Sequence, residues 1–199
     1  MPGLVAPIVD EREVLLGFLG QQRDALRYAV HGLDQDQASA RPTVSELSLV
    51  GLMKHAALVE RAWTSFLTTG DTGVFVPQDD WADGFRLTEG ETVEDVIALA
   101  DEQARLTEKV VGALEDLAAP LPPTADLVPW IPGGIVWTAR WVLLHLIERT
   151  ARHARRAEVI RGSIAGATSW TLMPQRRAGR RRPGRRRTGR RGPSSAPLV

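Results

Sequence analysis

The chain carries four histidines, His31, His55, His145 and His153, and no cysteine. Two of the histidines stand where they could do chemistry. His153 lies in WTARWVLLHLIERTARHARRAEVIRGSI, residues 137–164. On a helix turning ~100° per residue, Val142, Leu146, Arg149, His153, Ala157, Ile160 and Ile164 share one stripe, so His153 faces the same way as core residues. His55, in LSLVGLMKHAALVERAW, sits at the edge of a second inward stripe made by Leu49, Leu52, Met53, Ala56, Val59, Trp63, Phe66 and Leu67, with Glu60 beside it. One inward histidine is an ordinary hydrogen-bonded core residue. Two on separate helices shift the balance toward metal ligation, because bundle interiors are where metal sites are built from facing side chains. The absence of cysteine excludes disulfides, thiolate nucleophiles and cysteine-based zinc sites. Any metal here must be held by His, Asp or Glu.

The elements that must position these residues follow from hydrophobic spacing. Asp10 and Glu13 form a capping-box-like start, and Val14, Leu15, Phe18, Leu19, Leu26, Ala29, Val30 and Leu33 recur at three- and four-residue steps, which predicts a helix over about 10–31. The stretch 32–48 is rich in Gly, Asp and Ser and contains Pro42, so it predicts a loop. Ser45 or Ser48 then caps a second helix, about 46–68. Residues 69–90 have no helical period and are too long for a tight turn. They read as a crossover over the bundle, pinned by Phe75, Trp81 and Phe85. TVED from Thr92 opens a third helix to about 118, the Pro-rich link 119–135 comes next, and a fourth helix runs from near Val136 to around Gly166. Four amphipathic helices without a convincing strand predict an all-α bundle, and the two long links allow topologies other than simple up-down-up-down.

Length and composition fit one folded domain, residues 1–170, succeeded by a tail, 171–199. The formal net charge of +1 conceals an asymmetry. Ten of the 25 Lys/Arg lie after Trp170, leaving 15 against all 24 Asp/Glu before it, so the body is −9 and the tail +10. An acidic body argues against a nucleic-acid surface on the folded part. The tail repeats GRRRP, GRRRT and GRRGP from residue 179 and has nothing to bury, which predicts disorder. The same repeat is also what a frame-shifted end of a GC-rich gene would encode, and the near-exclusive use of Arg over Lys agrees with a GC-rich source. With no signal-peptide pattern at the start and no apolar run of spanning length, the expected location is cytoplasmic, without membrane association.

Taken in order, DEREVLLGFLGQQRDAL, LSLVGLMKHAALVERAW and WVLLHLIERTARHARRAEVIR with GATSW resemble the DinB-like four-helix-bundle proteins over roughly residues 8–170. The similarity is strongest to an actinobacterial branch related to mycothiol- and bacillithiol-dependent S-transferases and isomerases. The resemblance implies a divalent metal, zinc or nickel, held by a His of the second helix and by a His or Glu and a His four residues apart on the last. It also implies a low-molecular-weight thiol such as mycothiol as cofactor or substrate, and related bundles form homodimers. The i, i+4 spacing is chemically apt, since such residues lie ~6 Å apart along one helix face and can grip a single ion.

In that correspondence His55 and His153 take the outer two ligand positions, and the middle one falls on Arg149. Relatives of this branch read IEETARH where this chain reads IERTARH, and HAGHAD where it reads HARRAE, so Arg155 and Arg156 are further departures. A guanidinium has no lone pair to offer and repels a divalent cation, so the expectation is weak metal retention or none. Glu148 lies ~140° from His153 on the wheel and does not replace the missing ligand. His145 is two turns from His153, ~12 Å along the axis, and suits a supporting role. His31 sits where a cation is favoured at the C-terminus of the first helix, and Trp130, Trp137 and Trp141 suit a cap on the bundle end. Three functions remain open: a metal-dependent thiol transferase or hydrolase, a non-catalytic bundle that has lost its metal but binds a small molecule or partner, and a nucleic-acid or other anionic-partner binder acting only through the tail.

Overall fold

A computed structural model describes residues 4–70, 82–121 and 136–166. Expectations for Phe75, Trp81, Trp130 and the tail lie outside these residues. Four long helices dominate: α1 (Glu11–Val30), α3 (Leu49–Thr69), α4 (Val93–Ala113) and α5 (Ala139–Ala165). The all-α reading holds. Each long helix starts on a side chain that accepts an otherwise orphaned backbone N–H, namely Asp10, Ser48, Thr92 and Thr138. Gly70 and Gly166 end α3 and α5 in the left-handed region, with φ of 68° and 65°, where a side chain would be strained.

The connections differ from expectation in three places. The link after α1 contains a short helix, α2 (Gln35–Ser39), because Asp34 and Gln37 complete a capping box within the polar run. α4 stops at Ala113 rather than about 118; Leu114 is extended, and Arg12 of α1 donates to the carbonyls of Gly112 and Leu114. α5 begins at Ala139 rather than Val136, since Trp137 and Thr138 form a two-residue strand, β2, paired antiparallel with β1 (Pro120–Leu121). That ladder closes the second long link and swings Trp137 into the core.

Buried side chains fall into two apolar clusters, and membership fixes the helix directions. One cluster takes Leu26 and Val30 from the end of α1, Leu49 and Leu52 from the start of α3, Val93 and Val96 from the start of α4, and Ala157 and Ile160 from late α5. The other takes Leu15 and Leu19 from early α1, Trp63 and Phe66 from late α3, Val111 from late α4, and Val142 and Leu146 from early α5. Helices α1 and α5 therefore run one way and α3 and α4 the other. Two parallel neighbours joined in sequence need a link that travels the length of the bundle, which is the crossover expected for residues 69–90. The described part of that link includes a single 3-10 turn, Asp83–Phe85, packed on α3.

Candidate functional site: a polar belt between two cores

Between the apolar clusters every long helix contributes polar side chains at the same height. α1 supplies Arg23, α3 supplies His55 and Glu60, α4 supplies Gln103 and Thr107, and α5 supplies Arg149, Thr150 and His153. Burying polar groups is costly unless they are partnered, so how each is satisfied reveals what the belt does. On one side the accounting is complete. Arg23 grips Glu60 through two hydrogen bonds, of 3.0 and 2.5 Å; Thr107 donates to Glu60 Oε1 at 2.5 Å and lies 2.8 Å from the Thr64 hydroxyl. The single Thr107 hydroxyl hydrogen is shared between the Glu60 carboxylate and the Gln103 carbonyl, at 2.9 Å, which leaves Thr64 as the donor to Thr107. Glu60 is thereby committed to structure. Beside it, the small side chains of Ala56, Ala57, Ala100 and Ala104, with Thr150, leave a cavity of about 30 Å³, enough for a single water.

The other side of the belt holds the histidines. Helix phase brings His55 of α3 and His153 of α5 together, ring centroids 5.0 Å apart and edge to face. One face of the His55 ring is covered by Phe85, stacked at 3.9 Å with 17° between the planes. Sequence explains how Phe85 reaches it. Gly51 lies one turn before His55, and a Cβ there would collide with the Phe85 carbonyl, so only glycine lets the 83–85 turn come this close. Lys54 anchors the chain just past the turn, donating to the Arg86 carbonyl at 3.0 Å and to Glu91 at 2.5 Å. The sequence marks Phe85 as an anchor; its stacking on His55 emerges only in the fold.

Both imidazoles are neutral at physiological pH. Burial pushes His55 down to about 3, helped by His153 and Arg149, and pushes His153 down to about 4, helped by Arg149, Arg156 and Arg152 against the opposing Glu148. His145 is lowered too, by burial and then by Arg149. Arg149 thus projects positive potential onto all three histidines of α5 and α3. Its half-buried side chain makes no ion pair among the described residues, and its Nε is buried without a hydrogen-bond partner there. His153 Nδ1 is likewise buried and unpartnered among the described residues.

This donor set does not fit a divalent metal. Among the described residues no group of three or more His, Asp or Glu side chains converges on one point. Position 149, which the resemblance assigns to a ligand, carries a permanent cation whose field reaches both imidazoles, and the nearest buried carboxylate, Glu60, is occupied by Arg23. Two neutral imidazoles and a guanidinium supply neither the ligand count nor the charge that zinc sites use.

Other expected residues fall into place as support. His145 stacks on Trp141, centroids 5.0 Å apart at 8°, and meets Trp63 edge-on; with Trp137 and Phe66 they form the aromatic end of the bundle. Glu148 and Arg152 make the expected exposed pair. At the end of α1 a buried cation, Arg161 of α5, donates at 2.8 Å to the carbonyls of both Ala29 and His31. No period in the sequence marks that contact, which spans 130 residues or more.

The fold and the belt define a class: a DinB-like four-helix bundle with an inter-helix histidine pair. A family model described as mycothiol-S-transferase matches residues 14–166, and the chain belongs to that family. A search of curated proteins finds no match. No helix among the described residues is long and apolar enough to cross a membrane.

Proposed function

We propose that this protein is a thiol-binding member of the mycothiol-S-transferase family whose pocket works without a resident divalent metal. Family membership supports a low-molecular-weight thiol such as mycothiol as the small molecule it handles. The observation that carries the metal-free reading is Arg149, a fixed cation at the place of the third ligand and facing the pair His55 and His153. In such a pocket the chain's own residues bind and orient: Phe85 shields one face of His55, His153 offers a ring nitrogen with no partner in the described structure, and the belt behind them is locked by Arg23 and Glu60.

The test is metal content after dialysis, then calorimetric titration with mycothiol before and after chelator. Sub-stoichiometric metal and chelator-insensitive thiol binding are expected. Stoichiometric zinc or nickel, lost in His55→Ala or His153→Ala, would overturn it. That result would favour the second reading, a metal-dependent thiol transferase or hydrolase, which the approach of the two imidazoles to 5.0 Å supports.

A further inference from the structure

We infer that Arg149 is the anchor of an anion site on the inward row of α5, taking the singly charged head of a small ligand, a thiolate or a carboxylate, beside His55 and His153. The inference rests on the reading that no divalent metal occupies this pocket. Along the inward stripe of α5, Val142, Leu146, His153, Ala157 and Ile160 are buried, and Arg149 is the charged member of the same row. A guanidinium facing a protein interior costs free energy unless an anion accompanies it. The acids of α3 and α5 are already engaged: Glu60 by Arg23, Glu148, on the outer face, by Arg152, and Glu158 by Arg155. Arg152 and Arg156 add positive potential from the exposed side of the same helix.

The neighbouring groups complement such a ligand. The guanidinium offers several N–H donors in a fixed plane, suited to an anionic acceptor. His153, with Nδ1 buried and without a partner among the described residues, can donate a further N–H from a neutral ring in the appropriate tautomer. Phe85, stacked on His55, brings apolar surface beside the pair, and lowered polarity strengthens a charge-assisted contact. A thiol bound in this way releases its proton to solvent and stays as the thiolate; a carboxylate arrives already ionised.

The experiment uses the full chain and two matched probes, mercaptoethanol, which has a thiol and no carboxylate, and propionate, which has the reverse. Thermal shift and calorimetry are run on wild type, Arg149→Gln and Arg149→Lys, with ultraviolet thiolate absorbance and proton release recorded for the thiol. Wild type should bind at least one probe saturably; Arg149→Gln should weaken it by about tenfold or more, and Arg149→Lys should recover part of the loss. In buffer free of these anions, Arg149→Gln should melt no lower than wild type, because it removes an uncompensated charge. A thiolate band with proton release supports a thiolate site. Binding of propionate alone supports the anion site while removing the thiol reading proposed above. Equal affinity of wild type and Arg149→Gln for both probes overturns the inference, as does a melting temperature that falls in Arg149→Gln and is not raised by either probe in wild type.

Discussion

A guanidinium and an imidazole differ in the one respect that decides metal chemistry: the imidazole can present a lone pair and the guanidinium cannot. At position 149 the residue type therefore sets whether that turn of α5 has a lone pair to offer beside His55 and His153. Arg149→Glu should raise divalent-metal affinity by at least about tenfold, since it removes a repelling charge and adds a ligand one turn before His153. Competition titration of zinc or nickel against both proteins checks this, and an unchanged affinity would show that position 149 does not face the histidines. The histidines themselves make an acid-stability prediction. Their folded values, about 3 for His55 and about 4 for His153, lie below the ordinary 6.5. Above 6.5 both states are neutral and nothing is at stake. As pH falls below 6.5 the unfolded chain takes up protons first, so stability drops, by at most ~1.4 kcal/mol per pH unit for each histidine, until the folded values are reached. Urea unfolding at pH 7 and pH 5 reads this effect together with a smaller part from His145, also lowered by burial, while Glu11, held low by Arg140, Asp95, held low by Thr92, and Glu91, where burial is outweighed by Lys54 and Thr88, titrate further down. The double variant His55→Leu/His153→Leu should lose most of the difference between the two pH values.

At the scale of elements, the two parallel pairs, α1 with α5 and α3 with α4, put helix ends of like polarity side by side, and arginines offset this. Arg12 donates to the last carbonyls of α4 and Arg161 to those of α1. The site depends on a different contact, the seat of the 83–85 turn on α3. Gly51→Ala must push that turn away from His55, at a cost of about 1–3 kcal/mol in unfolding free energy by denaturant titration. A change below a few tenths would mean that the Phe85 stack is not set by this contact. These cases mark what is legible in the sequence. The four long helices, the caps at Asp10 and Thr92, the choice of Ser45 or Ser48 for α3, the inward phase of His153 and the place of His55 at the edge of an inward stripe are readable, because helical period and capping chemistry are local. The seat of Phe85 on His55, the Arg23–Glu60 pair and the Arg161 cap are not, because each joins residues 30 or more positions apart and depends on how helices are placed. The small helix at Gln35–Ser39 escapes a sequence reading for a third reason: a capping box of five residues carries too little hydrophobic period to stand out from a polar loop.

At the scale of the whole molecule the sequence divides into an acidic body, −9 over residues 1–170, and a basic tail, +10 over 171–199. The family match ends at residue 166, before the arginine-rich stretch begins. Its composition, ten Arg with Gly and Pro and few large apolar side chains, offers little surface to bury. Hydrophobic stabilisation scales with buried apolar area, so deleting residues 171–199 should leave the helical circular dichroism and melting temperature of the body nearly unchanged. A drop of several degrees would mean that the tail packs on the bundle. The same division predicts where any nucleic-acid affinity resides. Arginines neutralise phosphates and release counterions, so binding by the full chain should weaken steeply between low and physiological salt and show little sequence preference. The truncated body, acidic on balance, should not bind at all. Fluorescence anisotropy with a labelled duplex, read for both proteins across a salt series, decides it. Binding that persists in residues 1–170, or that ignores salt, would place recognition on the bundle and contradict the charge argument.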